Sequence, residues 1–363
     1  MSNKLSLLAF VMLGAFSTLH AQEETETKNP LKISGYAEVY YQYDFNNPEN
    51  NTRPGFVYSH NRNNEVNLNL GFVKANYETE KFRANVALGV GTYMNANYAA
   101  EPGVLKNIYE ANVGVKISKN KNLWIDAGVM PSHIGFESAV SKDCFTLTRS
   151  MLADNSPYFE SGAKISYTSD SGKWFVSALV LNGWQRIQRV DGNSTVAFGH
   201  QLTYKPNDKI TLNSSSFIGN DKPDSIRQMR YFHNLYGSFQ ISKKFALITG
   251  FDIGAEQNAK GSEQYNVWYS PVVIAKYSPA EKLSFAVRGE YYQDKNGVIV
   301  STRTEKGFQT FGYSINVDYW ILPNLVWRTE VKNLNSKDQI FFNRDNELRK
   351  NNLSAVTSLA VSF

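Results

Sequence analysis

From about Pro30 to the last residue, apolar and polar side chains alternate in segments separated by polar or turn-forming runs. Strict alternation sends one set of side chains to each face of a β-strand. In the first segment Ile33, Gly35, Ala37, Val39, Tyr41, Tyr43 and Phe45 share one face, and Ser34, Tyr36, Glu38, Tyr40, Gln42 and Asp44 share the other. The last segment puts Leu353, Ala355, Thr357, Leu359, Val361 and Phe363 on one face. Sixteen strands are predicted: 32–45, 64–77, 82–94, 108–118, 123–130, 159–168, 173–184, 196–205, 209–219, 230–241, 245–256, 265–277, 282–293, 308–319, 324–333 and 352–363. Such lengths suit the roughly 9–11 residues with which a tilted strand crosses a bilayer.

The connections sharpen the picture. Tight links at Glu78–Lys81, Lys119–Asn122, Ser169–Gly172, Pro206–Asp208, Ser242–Lys244, Ser278–Glu281 and Trp320–Pro323 alternate with long ones such as 46–63, 95–107, 131–158, 185–195, 294–307 and 334–351. A membrane barrel with short periplasmic turns and long external loops produces this alternation. A Greek-key sandwich has no reason to. Aromatic residues of the apolar parity collect at both ends of the segments. Phe82, Tyr167, Tyr204, Phe245, Tyr277 and Tyr319 lie beside short turns, and Tyr41, Tyr43, Tyr109, Tyr231, Tyr265 and Tyr291 toward long loops. Two girdles around an apolar band are expected of a barrel in lipid.

Composition alone conceals this. The mean hydropathy of −0.40 is that of a soluble protein, because alternation hides the apolar residues of a membrane barrel. No mature stretch approaches the roughly 20 apolar residues of a transmembrane helix. Residues 1–21, with Lys4 ahead of an apolar run that ends at Ala21, read as a secretory signal peptide. A short polar segment, 22–30, follows, and 31–363 is expected to form a single barrel. The lone cysteine, Cys144, excludes an intramolecular disulfide.

Residues 123–168 carry a motif. It runs from Leu123-Trp124-Ile125-Asp126-Ala127-Gly128, through Met130-Pro131-Ser132-His133-Ile134-Gly135-Phe136-Glu137, Thr148-Arg149-Ser150 and Ser156-Pro157-Tyr158, to Gly162-Ala163-Lys164. This resembles the β-barrel porins of the OmpL-like "porin-2" family, in which such a segment joins two mid-barrel strands. The resemblance implies a channel in a Gram-negative outer membrane and names no solute. The terminal Leu359, Val361 and Phe363 resemble the C-terminal strand signal read by the barrel-assembly machinery.

The third long loop, 131–158, is the longest, and is expected to fold into the lumen and narrow it. Its polar candidates are Glu137, Lys142, Asp143, Arg149 and Asp154. The inward parity carries Arg83, Glu110, Lys116, Asp126, Lys164, Arg230, Asp252, Arg288, Glu290, Asp318, Arg328, Glu330 and Lys332, which are expected to line the channel. Charged rings set pore selectivity, and nearly balanced signs predict weak selectivity. Enzymatic, metal and cofactor chemistry finds no support. His20, His60, His133, His200 and His233 lack metal-ligand spacing. His200 and His233 fall on the apolar parity, but the residues two further on are Leu202 and Leu235, not the Ser of a membrane phospholipase, so both read as lone interfacial histidines. The reading is an outer-membrane porin passing small hydrophilic solutes, with self-association open. The alternative is a closed barrel acting through external loops such as 46–63 and 343–352.

Overall fold

The computed structural model describes residues 29–363; the expected signal peptide and most of the 22–30 segment lie outside the described residues. Sixteen strands close into one barrel: β1 (Leu31–Asp44), β2 (Glu65–Glu78), β3 (Phe82–Val90), β4 (Ile108–Lys116), β5 (Asn122–Pro131), β6 (Phe159–Thr168), β7 (Trp174–Leu181), β8 (Ala197–Asn207), β9 (Ile210–Gly219), β10 (Arg230–Gln240), β11 (Phe245–Gln257), β12 (Tyr265–Ala280), β13 (Leu283–Asp294), β14 (Phe308–Leu322), β15 (Leu325–Ser336) and β18 (Asn351–Ser362). The small hairpin of β16 (Phe341–Phe342) and β17 (Leu348–Arg349) stands in the last long connection.

Each barrel strand pairs antiparallel with its neighbours in sequence, and β1 closes on β18 with Tyr36 opposite Ser362 and Asp44 opposite Ser354. Phe363 extends the seam. Its N–H donates to the Gly35 carbonyl at 3.0 Å, and the Gly35 N–H donates to the Phe363 carbonyl at 2.8 Å. The apolar parity faces outward around the circumference, as Ile33, Val73, Val113, Phe198, Val287 and Ile315 show by their exposure. In water this belt would be unfavourable. In hydrocarbon it is the matched surface, and closure leaves no strand edge unsatisfied.

Several strand ends depart from the sequence expectation, with β12, β14 and β15 running three residues further and β3 and β7 stopping short. β3 stops at Val90 instead of running to 94, because Gly91 takes φ +120° and turns the chain into the short helix α1 (Thr92–Asn97). α1 then folds into the barrel mouth, burying Tyr93 and Met94. β7 ends at Leu181, earlier than the expected 184.

The external half of the lumen holds packed side chains. One apolar cluster joins Phe56 of the first long loop to Phe217, Phe232, Trp268, Tyr292 and Phe308 of the wall. A second joins Tyr93, Met94 and Tyr98 to Tyr36, Leu70 and Phe159. The loops also bond to one another. Asn155 Nδ2 donates to the Phe56 carbonyl at 3.3 Å, the Tyr158 N–H to Gln185 Oε1 at 2.8 Å, and Gln185 Nε2 to the Asn97 carbonyl at 3.1 Å.

Candidate channel and its infolded third loop

The third loop leaves β5 at Pro131, crosses the lumen, and returns to β6 at Phe159. Its course is set by side chains of distant strands that satisfy its backbone. Ser141 Oγ donates to Glu38 Oε1 at 2.5 Å. Arg328 is paired with Asp318 at 2.7 Å and also donates to the carbonyls of Ser141 and Cys144. The Leu147 N–H donates to Asn316 Oδ1 at 3.0 Å, the Thr148 N–H to Glu330 Oε2 at 2.5 Å, and the Met151 N–H to Glu290 Oε2 at 2.5 Å. Lys332 Nζ donates to the Arg149 carbonyl at 3.1 Å. Arg288 is the hub. Its guanidinium donates to the Thr146 hydroxyl, the Thr148 carbonyl, the Thr148 hydroxyl and Glu330 Oε1 at 2.7–2.9 Å. Leu152 and Ala153 of the short helix α2 (Met151–Asp154) pack on Val272 and Ile274. A buried loop backbone needs such partners, and the inward residues of β13–β15 supply most of those named here.

The loop candidates therefore divide. Glu137 accepts from the Ser150 N–H and hydroxyl, and Arg149 donates to the carbonyls of Ser138, Leu147 and Ala139. Both are buried and hold the loop's own shape. Asp154 is buried as well. Lys142 and Asp143, paired at 2.9 Å, keep contact with water.

Burial pushes the Asp154 carboxyl up to about 7, Lys332 and Arg149 pull it down less, and Glu137 and Glu290 add to the rise. The docked loop thus holds Asp154 protonated where a free aspartate, at 3.8, has ionised. The stabilisation is full below the free value and falls as pH rises from there to about 7. Protease protection of residues 138–156 is accordingly expected to weaken across that window, and Asp154→Asn to flatten the slope.

The thirteen expected lumen-lining residues also divide. Arg288, Glu290, Asp318, Arg328, Glu330 and Lys332 are buried, most of them beneath the third loop. Arg230 is buried near the external end, paired with Glu256 at 2.7 Å and Asp221 at 3.2 Å. Asp252 is buried and accepts from Asn234 Nδ2 at 2.5 Å. Inward parity alone does not make these eight a water-facing lining. The physical reason is the loop and side-chain packing in front of them.

Across β2–β6 the wall remains partly open. Lys74 reaches over Ala87 to both oxygens of Glu110, at 2.9 and 2.8 Å. Below this level an asparagine ladder crosses three strands: Asn76 Nδ2 donates to Asn85 Oδ1 at 2.7 Å, and Asn85 Nδ2 to Asn112 Oδ1 at 3.0 Å. The next level sets Arg83, Gly114, Asp126 and Lys164 in register. Arg83 donates to both oxygens of Asp126, at 2.7 and 2.6 Å, and stacks on Trp124 at 4.4 Å. It passes over Gly114, where a Cβ would collide with Asp126 Oδ1. Lys116 lies one level nearer the periplasmic turn, opposite Trp124. Lys74 and the asparagine ladder are absent from the sequence candidates. Their signal is the polar parity of Lys74, Asn76 and Glu78 against Val73, Ala75 and Tyr77.

On the outer face His200 and His233 are not lone residues. Ser216 of β9 lies between them in register. Ser216 Oγ is 2.5 Å from His200 Nδ1, and Ser214 Oγ is 3.3 Å from His233 Nε2. Mutual pairing offsets the cost of polar groups facing hydrocarbon.

A closed sixteen-strand barrel with an apolar outer belt, a polar inner wall and a long loop folded across the lumen is the architecture of an outer-membrane porin. The chain belongs to the family described as "Putative beta-barrel porin-2, OmpL-like", whose model matches residues 30–363. It is a porin channel of the bacterial outer membrane. Solved structures share the fold at low identity. OmpT, an outer membrane protein of Vibrio cholerae in its trimer form, superposes with a TM-score of 0.60 at 11% identity, covering 92% of this chain and 99% of that one. An anion-selective porin from Comamonas acidovorans gives 0.60 at 7% identity, with coverage of 92% and 99%. The outer membrane channel DcaP of Acinetobacter baumannii gives 0.58 at 12% identity, with coverage of 92% and 97%. A comparison of the sequence with curated proteins finds no match.

Proposed function

We propose that small hydrophilic solutes diffuse passively between the third loop and the β2–β6 wall, with the loop as constriction and Lys142 and Asp143 as its water-facing charges. One observation carries this. Most of the polar anchors of the loop lie on β1 and β13–β15, while Lys74, Arg83, Lys116 and Lys164 keep partial solvent contact. Glu137, Arg149 and Asp154 act in this reading by holding the loop in place. Residues 1–21 direct export, 22–30 lead into the single barrel 31–363, and Leu359, Val361 and Phe363 present the terminal strand to the assembly machinery. Self-association belongs to the same proposal, supported by the trimer form of the Vibrio cholerae neighbour.

The closed-barrel alternative has its own support in the apolar clusters and loop-to-loop bonds of the external half. Liposome swelling separates the two. Vesicles carrying the folded barrel are expected to swell in arabinose and glucose, and progressively less in larger oligosaccharides. Swelling no faster than in protein-free vesicles would favour the closed barrel.

A further inference from the structure

Sequence parity gives the inner wall nearly balanced charge, but solvent contact separates the signs. Away from the strand ends, the inward acids Glu38, Glu110, Asp126, Asp252, Glu290, Asp318 and Glu330 are all buried. The inward charges that keep water contact are Lys74, Arg83, Lys116, Lys164 and Lys276, with the acids Glu65 and Glu78 at the two ends of β2 and Glu78 opposite Arg83 in register. The pairs themselves are lopsided. Lys74 is 26% exposed against 8% for Glu110, and Arg83 29% against 5% for Asp126. Both oxygens of each carboxylate are already used by the base in front of it. Arg83 retains an uncommitted Nη1, and neither Lys116 nor Lys164 has an ion-pair partner among the described residues.

We infer that the β2–β6 wall is a track for small oxyanions, carboxylates or inorganic phosphate, and makes the channel anion-selective; this rests on the open-channel reading above. An anion meets donors at successive levels: the Lys74 ammonium, then Arg83 with Lys164, then Lys116. Adjacent inward levels of a strand lie about 7 Å apart. That is within the Debye length of about 8 Å at physiological salt, so Lys164 and Lys116 act together as the excess positive charge of these levels, Arg83 being offset by Asp126. Arg83 supplies a planar guanidinium held rigid by Asp126 and Trp124, a geometry suited to oxyanions. The lysines supply mobile point charges that release the ion again, as conduction requires.

The test is a reversal potential in planar bilayers under a potassium chloride gradient, with a second series in potassium succinate and potassium phosphate. Lys116→Glu/Lys164→Glu is the informative variant, since neither lysine carries an ion pair the barrel depends on. The wild type is expected to favour chloride over potassium several-fold. The double variant is expected to bring the ratio below unity at unchanged heat-modifiable gel mobility. Millimolar succinate or phosphate is expected to reduce chloride current in the wild type more than in the variant. Steady conductance without anion preference, or preference untouched by the double variant, would overturn the oxyanion track and leave the channel standing. Absence of conductance from a folded barrel would overturn the channel reading and the track with it.

Discussion

Arg288→Ala releases the third loop from the wall. The guanidinium is fully buried among Glu330 at 2.7 Å, Glu290 at 3.3 Å and Glu137 at 4.0 Å, and it also holds Thr146 and Thr148 of the loop. Removing it strands three buried carboxylates, with Lys332 at 2.9 Å from Glu290 as the neighbouring cation. Removing one partner of a buried ion pair typically costs about 3–5 kcal/mol. The loss falls on loop docking more than on the strands, whose ladder bonds do not pass through Arg288. Expected results are rapid proteolysis within 138–156, larger and noisier single-channel currents, and a barrel of unchanged strand content by circular dichroism. Arg288→Lys keeps the charge without the planar fork and is expected to fall between. A loop as protected in Arg288→Ala as in the wild type would show that Glu38, Asn316, Arg328 and Lys332, with the apolar contacts of Leu152 and Ala153, hold it without Arg288.

Gly128→Ala prevents assembly. Gly128 takes φ +129°, and a Cβ there would run into the Ala111 carbonyl of the paired strand β4. The backbone conformation alone costs a side-chain-bearing residue on the order of 1–3 kcal/mol. The collision adds the loss of ladder bonds between β4 and β5, beside Asn112. In hydrocarbon those freed groups find no water. The variant is expected to accumulate unfolded and to lack the heat-modifiable band. Gly289→Ala, where a Cβ meets open space, is expected to assemble normally. Normal assembly of Gly128→Ala would mean that β5 can shift against β4 at that point.

The barrel was legible in the chain because two independent rhythms agree. Residues such as Ile33, Ala37 and Val39 alternate with Ser34, Glu38 and Tyr40, and tight turns such as Glu78–Lys81 alternate with long loops. Both follow from physics that acts locally. What was not legible depends on what stands in front of a side chain. Arg83 and Arg328 share the inward parity, yet one keeps water contact and the other lies under the third loop. Glu137 and Arg149 look like channel charges in the loop sequence, but their partners are Ser150 and the carbonyls of Ser138, Leu147 and Ala139, which only the folded loop brings near. The β3 boundary failed for a different reason: Thr92, Tyr93 and Met94 suit a strand by composition, and the turn at Gly91 decided against it.

The most direct test of the account is single-channel recording of the purified, refolded chain in a planar bilayer, with folding verified on the same preparation. The account predicts stable, discrete conductance steps at low voltage and a reversal potential on the anion side. A folded barrel that stays silent over the whole voltage range would contradict it, and would shift the function to the external loops.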